Sequence, residues 1–248
     1  MSGHSKWSTI KRQKGAADAK RGQLFTKLAR EITVAARAGL PDPDSNPRLR
    51  LAVQRARSAS MPKDNIDRAI ERGAGDTGGD NYDELFYEGY GPGGTALMIY
   101  ALTDNRNRTV GEVRAVMSRA GGTLGESGSV GWMFDQVGQI VVEADGDQAD
   151  ELSMTAIDAG AADVVAADGA VEIYTEASDL HRVQESISAA GYEIENAELI
   201  MRPKTMVDLD VDVATKVLRL VDRLEDLDDV QTVYSNLEVS DELLAEAG

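Results

Sequence analysis

The chain contains no cysteine. That one absence excludes disulfides, thiolate metal centres and Cys nucleophiles together, and it suits a reducing cytosol. Histidine is nearly absent too, with only His4 and His181. Neither has a Ser, an Asp or metal-ligand spacing beside it, and acid–base chemistry is hard to assemble from one imidazole. No apolar run approaches the roughly 18 residues of a membrane span. The N-terminus carries charge without a following apolar core, which excludes a secretory signal. Ser2 breaks the myristoylation pattern. The expectation is a cytoplasmic protein off the membrane, with no catalytic residue, metal or cofactor, and not an enzyme.

What the chain does have is divided charge. Among 248 residues with a net charge of -17, residues 1–73 hold 16 Lys and Arg against 7 acids, while 74–248 hold 10 bases and 36 acids. The first 21 residues alone carry six bases against Asp18. Such asymmetry points to a polyanion-binding end on an acidic body, against the plainer reading of bases on a solvated helical surface. The acidic body repels phosphate beyond the basic face, so binding should be oriented.

Residues 1–21 hold few large apolar side chains besides Trp7 and Ile10, and read as a basic flexible arm that orders on a partner. The segment 22–74 reads as a helical domain. QLFTKLAREITVAARAG spaces Leu24, Leu28 and Ile32 by four, PRLRLAVQRARSAS starts behind an Asn46 cap with Pro47 at the first helical position, and PKDNIDRAIERG ends at Gly73. AGDTGGDN is a linker by composition. TALMIYALT then reads as a buried strand, NRTVGEVRAVMSRAGG as a helix, and SVGWMFD as a strand alternating Val130, Trp132 and Phe134. Residues 139–202 give the order βαββαβ, a ferredoxin-like unit. The tail adds a helix at 211–227 and a strand at 229–237, which need the elements of 95–134 as partners. The fold class is therefore α+β: an N-terminal three-helix domain plus two α+β domains, one a ferredoxin-like unit (132–203) inserted into the other (75–131 and 204–248).

Two glycine-rich stretches invite a phosphate-loop reading. EGYGPGG at 88–94 lacks the Lys-Ser/Thr ending and precedes a strand, so it reads as a turn needing positive φ. GGTLGESGSV at 121–130 has Arg106, Arg108 and Arg114 nearby. It can cradle phosphate through its amides, or serve as a connection that holds Trp132 in a core. Asp208, Asp210 and Asp212 alternate, so on a strand they share one face. A hard cation there would suit a metal-dependent nuclease, but an acidic solvated edge is the favoured reading.

The basic residues carry more weight. Lys6, Lys11, Arg12, Lys14, Lys20 and Arg21 can neutralise phosphates and release counterions, and Trp7 can stack on an exposed base. Lys27, Arg48 and Arg50 extend the positive face into the helical domain. No helix-turn-helix pattern stands out, so recognition of shape or backbone is expected rather than base readout.

GHSKW at 3–7, IKRQKGAADAKRGQLFTKLAREI at 10–32, DPDSNPRLRLAV at 42–53, MPKDNIDRAI at 61–70, YEGYGPGGTAL at 87–97, TDNRNRTVGEVR at 103–114 and GGTLGESGSVGWMF at 121–134 together resemble the YebC/PmpR family, nearly end to end. Where GGPDP is common in that family this chain has GLPDP, a change that bears on loop flexibility. The resemblance implies three domains and a cytosolic protein described as a DNA-binding transcriptional regulator. Mitochondrial and other relatives act in translation, so the family leaves a second role open: a ribosome-associated factor whose arm threads into rRNA and whose Arg106 and Arg108 meet RNA or tRNA. The expected partner is nucleic acid, either DNA or ribosomal RNA; no oligomeric state is implied.

Overall fold

The computed structural model describes residues 18–75, 81–167, 169–240 and 243. Three helices come first: α1 (Asp18–Ala38), α2 (Pro47–Ser58) and α3 (Lys63–Ala74). Helix α1 begins ahead of the apolar repeat, because its polar first turn leaves no hydrophobic signature. Its buried line is Leu28, Ile32, Ala35 and Ala36, whereas Leu24 is 43% exposed. These residues meet Leu49, Ala52, Val53, Ile66 and Ala69 in one small core. Helices α1 and α3 approach closely at Gly73, where a Cβ would lie 2.4 Å from the Thr33 carbonyl oxygen. A side chain there would force the helices apart.

Asn46 caps α2 as its sequence context requires. Its Oδ1 accepts from the Leu49 amide at 3.1 Å, while Nδ2 donates to the carbonyls of Ala35 and Leu40, both at 2.9 Å. One buried side chain thus starts α2 and ties off the end of α1. Asn46→Ala is expected to cost about 2 kcal/mol, the upper end of the capping range, because two further carbonyls lose their donor. Asn46→Asp should keep the cap and lose only those two bonds. Urea midpoints of the two variants separate the contributions, and equal losses would contradict this division.

Two four-stranded sheets follow. The first has the order β3-β1-β2-β8, from β1 (Asp83–Tyr90), β2 (Ala96–Thr103), β3 (Thr123–Leu124) and β8 (Val230–Ser235). The second has the order β5-β6-β4-β7, from β4 (Phe134–Glu143), β5 (Asp163–Ala167), β6 (Ala170–Glu176) and β7 (Ile194–Pro203). Helices α4 (Arg106–Arg119) and α7 (Val211–Glu225) pack on the first sheet, and α5 (Gly146–Asp158) and α6 (Leu180–Ala189) on the second. The second sheet and its helices are the ferredoxin-like βαββαβ unit, entered and left through the first, so the expected α+β class with one unit inserted in the other stands. Strand β8 pairs with β2 across 126 residues or more of intervening chain, in the register Leu97↔Ser235 to Ala101↔Val230.

The period of two sorts the continuous apolar run of β2. Leu97 and Ile99 face α4 and α7, while Ala96 and Met98 face the other way and meet Phe134, Tyr174, Ile200 and Tyr234. The strand is buried on both faces, which is why it lacks alternation. The inserted unit is thus clamped against the first sheet by an apolar seam.

Three local expectations need correction. Residues 129–133 are not strand: a 3-10 turn spans Gly131–Met133, β4 starts at Phe134, and Trp132 is 69% exposed rather than held in a core. Asp208, Asp210 and Asp212 do not line a strand face. Asp210 is the residue before α7 and Asp212 lies in its first turn, where acids favour the helix dipole. Strand β1 has no counterpart in the sequence reading, because Glu84 and Glu88 interrupt its apolar pattern.

Candidate nucleic-acid interface

The described cations fall into two sets. In the first, α1 caps another helix. Gln23, Lys27 and Arg30 lie along one face of α1, and their side chains donate to the carbonyls of Asp226, Glu225 and Asp228 just past and at the end of α7. The Glu225 and Asp226 carbonyls end the helix without a partner inside it, so the positive α1 face satisfies them and complements the negative end of the α7 dipole.

Arg30 also reaches Asp229, the centre of a polar cluster with four side-chain donors. The Asp229 carboxylate accepts from Arg30 at 2.8 Å, Arg108 at 2.6 Å, Thr103 at 3.0 Å and Thr109 at 2.7 Å. Burial by itself pushes the Asp229 carboxyl up; hydrogen bonds from Arg108, Thr109 and Thr103 outweigh it and hold the group below its ordinary range. Arg108 pairs with Asp104 as well, at 2.7 Å. Helix α1, strand β2, helix α4 and the turn before β8 meet on this one carboxylate.

Other arginines repeat the pattern. Arg48 forms a two-pronged pair with Glu84, at 2.6 and 3.0 Å, and its neighbour Tyr100 also donates to Glu84. Burial raises the Tyr100 hydroxyl above its ordinary value, so it stays protonated as a donor. Arg50 binds the carbonyls of Pro43 and Asp44 and contacts His181 on α6. Arg55 lies between Glu31, at 2.9 Å, and Glu198 of β7, at 3.4 Å. Arg106 pairs with Asp83 at 2.7 Å on the surface. Arg48, Arg50 and Arg55 hold the helical domain on the acidic sheets, and Arg106 pairs within the first sheet's own unit, so part of the charge asymmetry is internal complementarity.

The second set faces solvent. Arg57 at the end of α2 and Lys63, Arg68 and Arg72 on α3 are all exposed. Among the described residues, none of the four makes an ion pair; Arg68 bonds only the Asp64 carbonyl and the Asn65 side chain. Arg114 and Arg119 on α4 are likewise exposed.

Of the residues that the sequence singles out, Lys6, Trp7, Lys11, Arg12 and Lys14 lie outside the described residues, as does the side chain of Lys20. Arg21 is exposed on α1. Lys27, Arg48, Arg50, Arg106 and Arg108 are each engaged with groups of the chain itself. The sequence places Arg57, Lys63, Arg68 and Arg72 off the apolar faces of their helices, but they are not among the residues expected to bind nucleic acid. The signal was available in the helical spacing of Arg68 and Arg72, four residues apart on a face without large apolar residues.

The glycine-rich loop also differs from expectation. Its amides do cradle an anion, but that anion is Glu88. The buried carboxylate accepts from Gly128, Val130 and Gly131, each at 2.7 Å. Burial pushes Glu88 up, and the three amides outweigh it and keep the group below its usual range. In the EGYGPGG stretch Glu88–Tyr90 end β1 and only Pro92–Gly94 turn, with Gly93 at φ 70° and its α-carbon so near Leu209 that a Cβ would lie 2.8 Å from it. Neither stretch is an open phosphate loop. Among the described residues, no group of three or more His, Asp or Glu is placed to hold a metal, and no helix is long and apolar enough to cross a membrane.

Comparison with known proteins gives one consistent answer. Residues 5–76 match the model of the TACO1/YebC protein N-terminal domain, and residues 82–237 that of the TACO1/YebC second and third domain. A "Probable transcriptional regulatory protein" of Pelotomaculum thermopropionicum is 55% identical over 243 residues, covering 97% of this chain and 100% of the relative. A protein with the same description from Geobacter sulfurreducens is 53% identical over 242 residues, covering 98% of each. The crystal structure of a conserved hypothetical protein from Aquifex aeolicus superposes with a TM-score of 0.85 at 47% identity, covering 92% of this chain and 94% of that one. The chain belongs to the TACO1/YebC family.

Proposed function

We propose that this protein is a cytoplasmic, non-enzymatic nucleic-acid-binding regulator. It grips DNA phosphates with its N-terminal basic residues and the exposed cations of α2 and α3. The observation that carries the reading is the sorting of the bases. Arg48, Arg50 and Arg55 are used to hold domains together, whereas Arg57, Lys63, Arg68 and Arg72 are exposed and make no ion pair among the described residues. Four exposed cations, on a chain of net charge -17 whose first 21 residues carry six bases, make an electrostatic footprint of defined direction. The description shared by the Pelotomaculum and Geobacter relatives supports a regulatory role.

Contacts to phosphate release counterions, so affinity for a duplex should fall steeply with salt. Replacing Lys11, Arg12 and Lys14 together by Ala is expected to weaken binding and lower the slope of log K against log salt by about 2–3, roughly 0.9 per lost contact. Fluorescence anisotropy with a labelled duplex at several salt concentrations measures both. An unchanged slope would show that these side chains are not contacts. Occupancy on chromosomal DNA that survives RNase places the protein in transcription; RNase-sensitive co-sedimentation with ribosomes and no DNA occupancy would place it in translation instead.

A further inference from the structure

Between α1 and α3 lies a cavity of about 270 Å³ whose lining includes Phe25, Arg30, Asn65, Arg68, Arg72 and Tyr82. In a chain with 43 Asp and Glu, none of its lining residues is acidic among the described residues. Its composition is that of a nucleotide site: aromatic rings, a small apolar floor that includes Met61, and guanidinium groups at the rim. Arg30 sits over the Tyr82 ring, 5.3 Å from its centroid, and is fixed there by Asp229. The Arg30 Nε–H is buried without a hydrogen-bond partner, which leaves one donor of a guanidinium that Asp229 otherwise neutralises unused beside the cavity. Arg72 is exposed and makes no ion pair among the described residues, so its charge is available at the mouth.

We propose that this cavity receives one unpaired nucleotide of the bound nucleic acid, with its base against Phe25 and Tyr82 and its phosphate on Arg68 and Arg72. This rests on the nucleic-acid reading above. The volume lies just under the roughly 300 Å³ at which small-molecule sites begin, a size for one nucleotide rather than a larger ligand. A duplex with paired ends cannot offer that nucleotide, so the site distinguishes single-stranded from double-stranded segments where a phosphate-only surface would not.

The test uses the full chain with methyl-labelled methionine, since Met61 lies in the cavity wall, and titrates a single-stranded hexanucleotide of adenines. Binding should shift the Met61 methyl resonance saturably. A blunt duplex should bind without shifting it. Arg72→Ala should weaken hexanucleotide binding about tenfold, one charge-assisted contact. Thr26→Trp, on the exposed rim, should abolish the Met61 shift while leaving duplex binding intact. Hexanucleotide binding with salt-dependent affinity but no Met61 shift overturns the cavity site and leaves the nucleic-acid reading standing. Absence of binding to both hexanucleotide and duplex overturns both.

Discussion

Asp229→Ala is expected to cost about 3–5 kcal/mol of stability, the largest effect of any single substitution considered for this chain. The reason is what remains behind. Arg30 loses its carboxylate partner and keeps only the Asp228 carbonyl, and the Thr103 hydroxyl loses its acceptor, in a place where water does not replace it, because the Asp229 side chain is 2% exposed. Arg108 suffers less, since it keeps Asp104 and is 42% exposed. Asp228→Ala is the control. Asp228 offers Arg30 only its main-chain carbonyl and its own side chain is exposed, so the change should fall within about 0.5 kcal/mol. Urea denaturation of both variants, followed by circular dichroism, decides the matter. Similar losses would mean that the cluster does not hold α1 on the sheet. The pH dependence follows from the same carboxylate. Its folded-state value lies below the unfolded one, so its contribution is present above the unfolded value, near 4, and is lost as pH falls through the folded value. Asp229→Asn should therefore flatten the acid limb of the stability profile.

Glu88→Ala should be next in size, at about 3 kcal/mol, and its effect should be local. Three amides on one carboxylate hold the loop 128–131 in place, and hydrogen bonds to a charged acceptor are each worth about 1.5–3 kcal/mol net when nothing replaces them. Water can reach exposed Gly128 and recover part of the loss; it cannot reach buried Val130 as easily. Glu88→Gln keeps an acceptor oxygen and should lose less than half as much. The chain supplies its own reporter, since Trp132 follows the latch directly and donates to the Ser129 carbonyl at 3.2 Å. In a Trp7→Phe background, Trp132 is the remaining tryptophan. Its fluorescence anisotropy should fall in Glu88→Ala as the loop loosens. An unaltered anisotropy with lowered stability would show that Glu88 matters to the strand and not to the loop.

Local rules carried much of the architecture. Asn46 and Pro47 announce the start of α2, the spacing of Leu180, Val183 and Ile187 announces α6, and the alternation of the ferredoxin-like unit sets its order of elements. That the tail joins the elements of 95–134 followed from its inability to bury itself alone, and the structure adds the pairing of β8 with β2. What stayed hidden are the long-range polar partnerships. A buried acid reads the same as a solvated one in sequence, so neither Glu88 nor Asp229 declared its role. Basic residues have the same ambiguity. Lys27, Arg48 and Arg108 look like phosphate ligands in a list of charges, yet each has a partner between 120 and 200 residues away or, for Arg48, in the next domain. Trp132 was misplaced for a related reason: alternation with Val130 and Phe134 mimics a strand, while the turn at Gly131 turns its side chain into solvent.

The internal use of so many bases narrows where nucleic acid can lie, and that location is the most direct test. Ultraviolet cross-linking of the full chain to a photoreactive oligonucleotide, with cross-linked peptides mapped by mass spectrometry, reads it out in one experiment. The account requires cross-links within the N-terminal basic segment and on α3 around Arg68 and Arg72, and none on the outer faces of α5 and α6. Cross-links concentrated on the ferredoxin-like unit, with the N-terminal segment and α3 untouched, would contradict it.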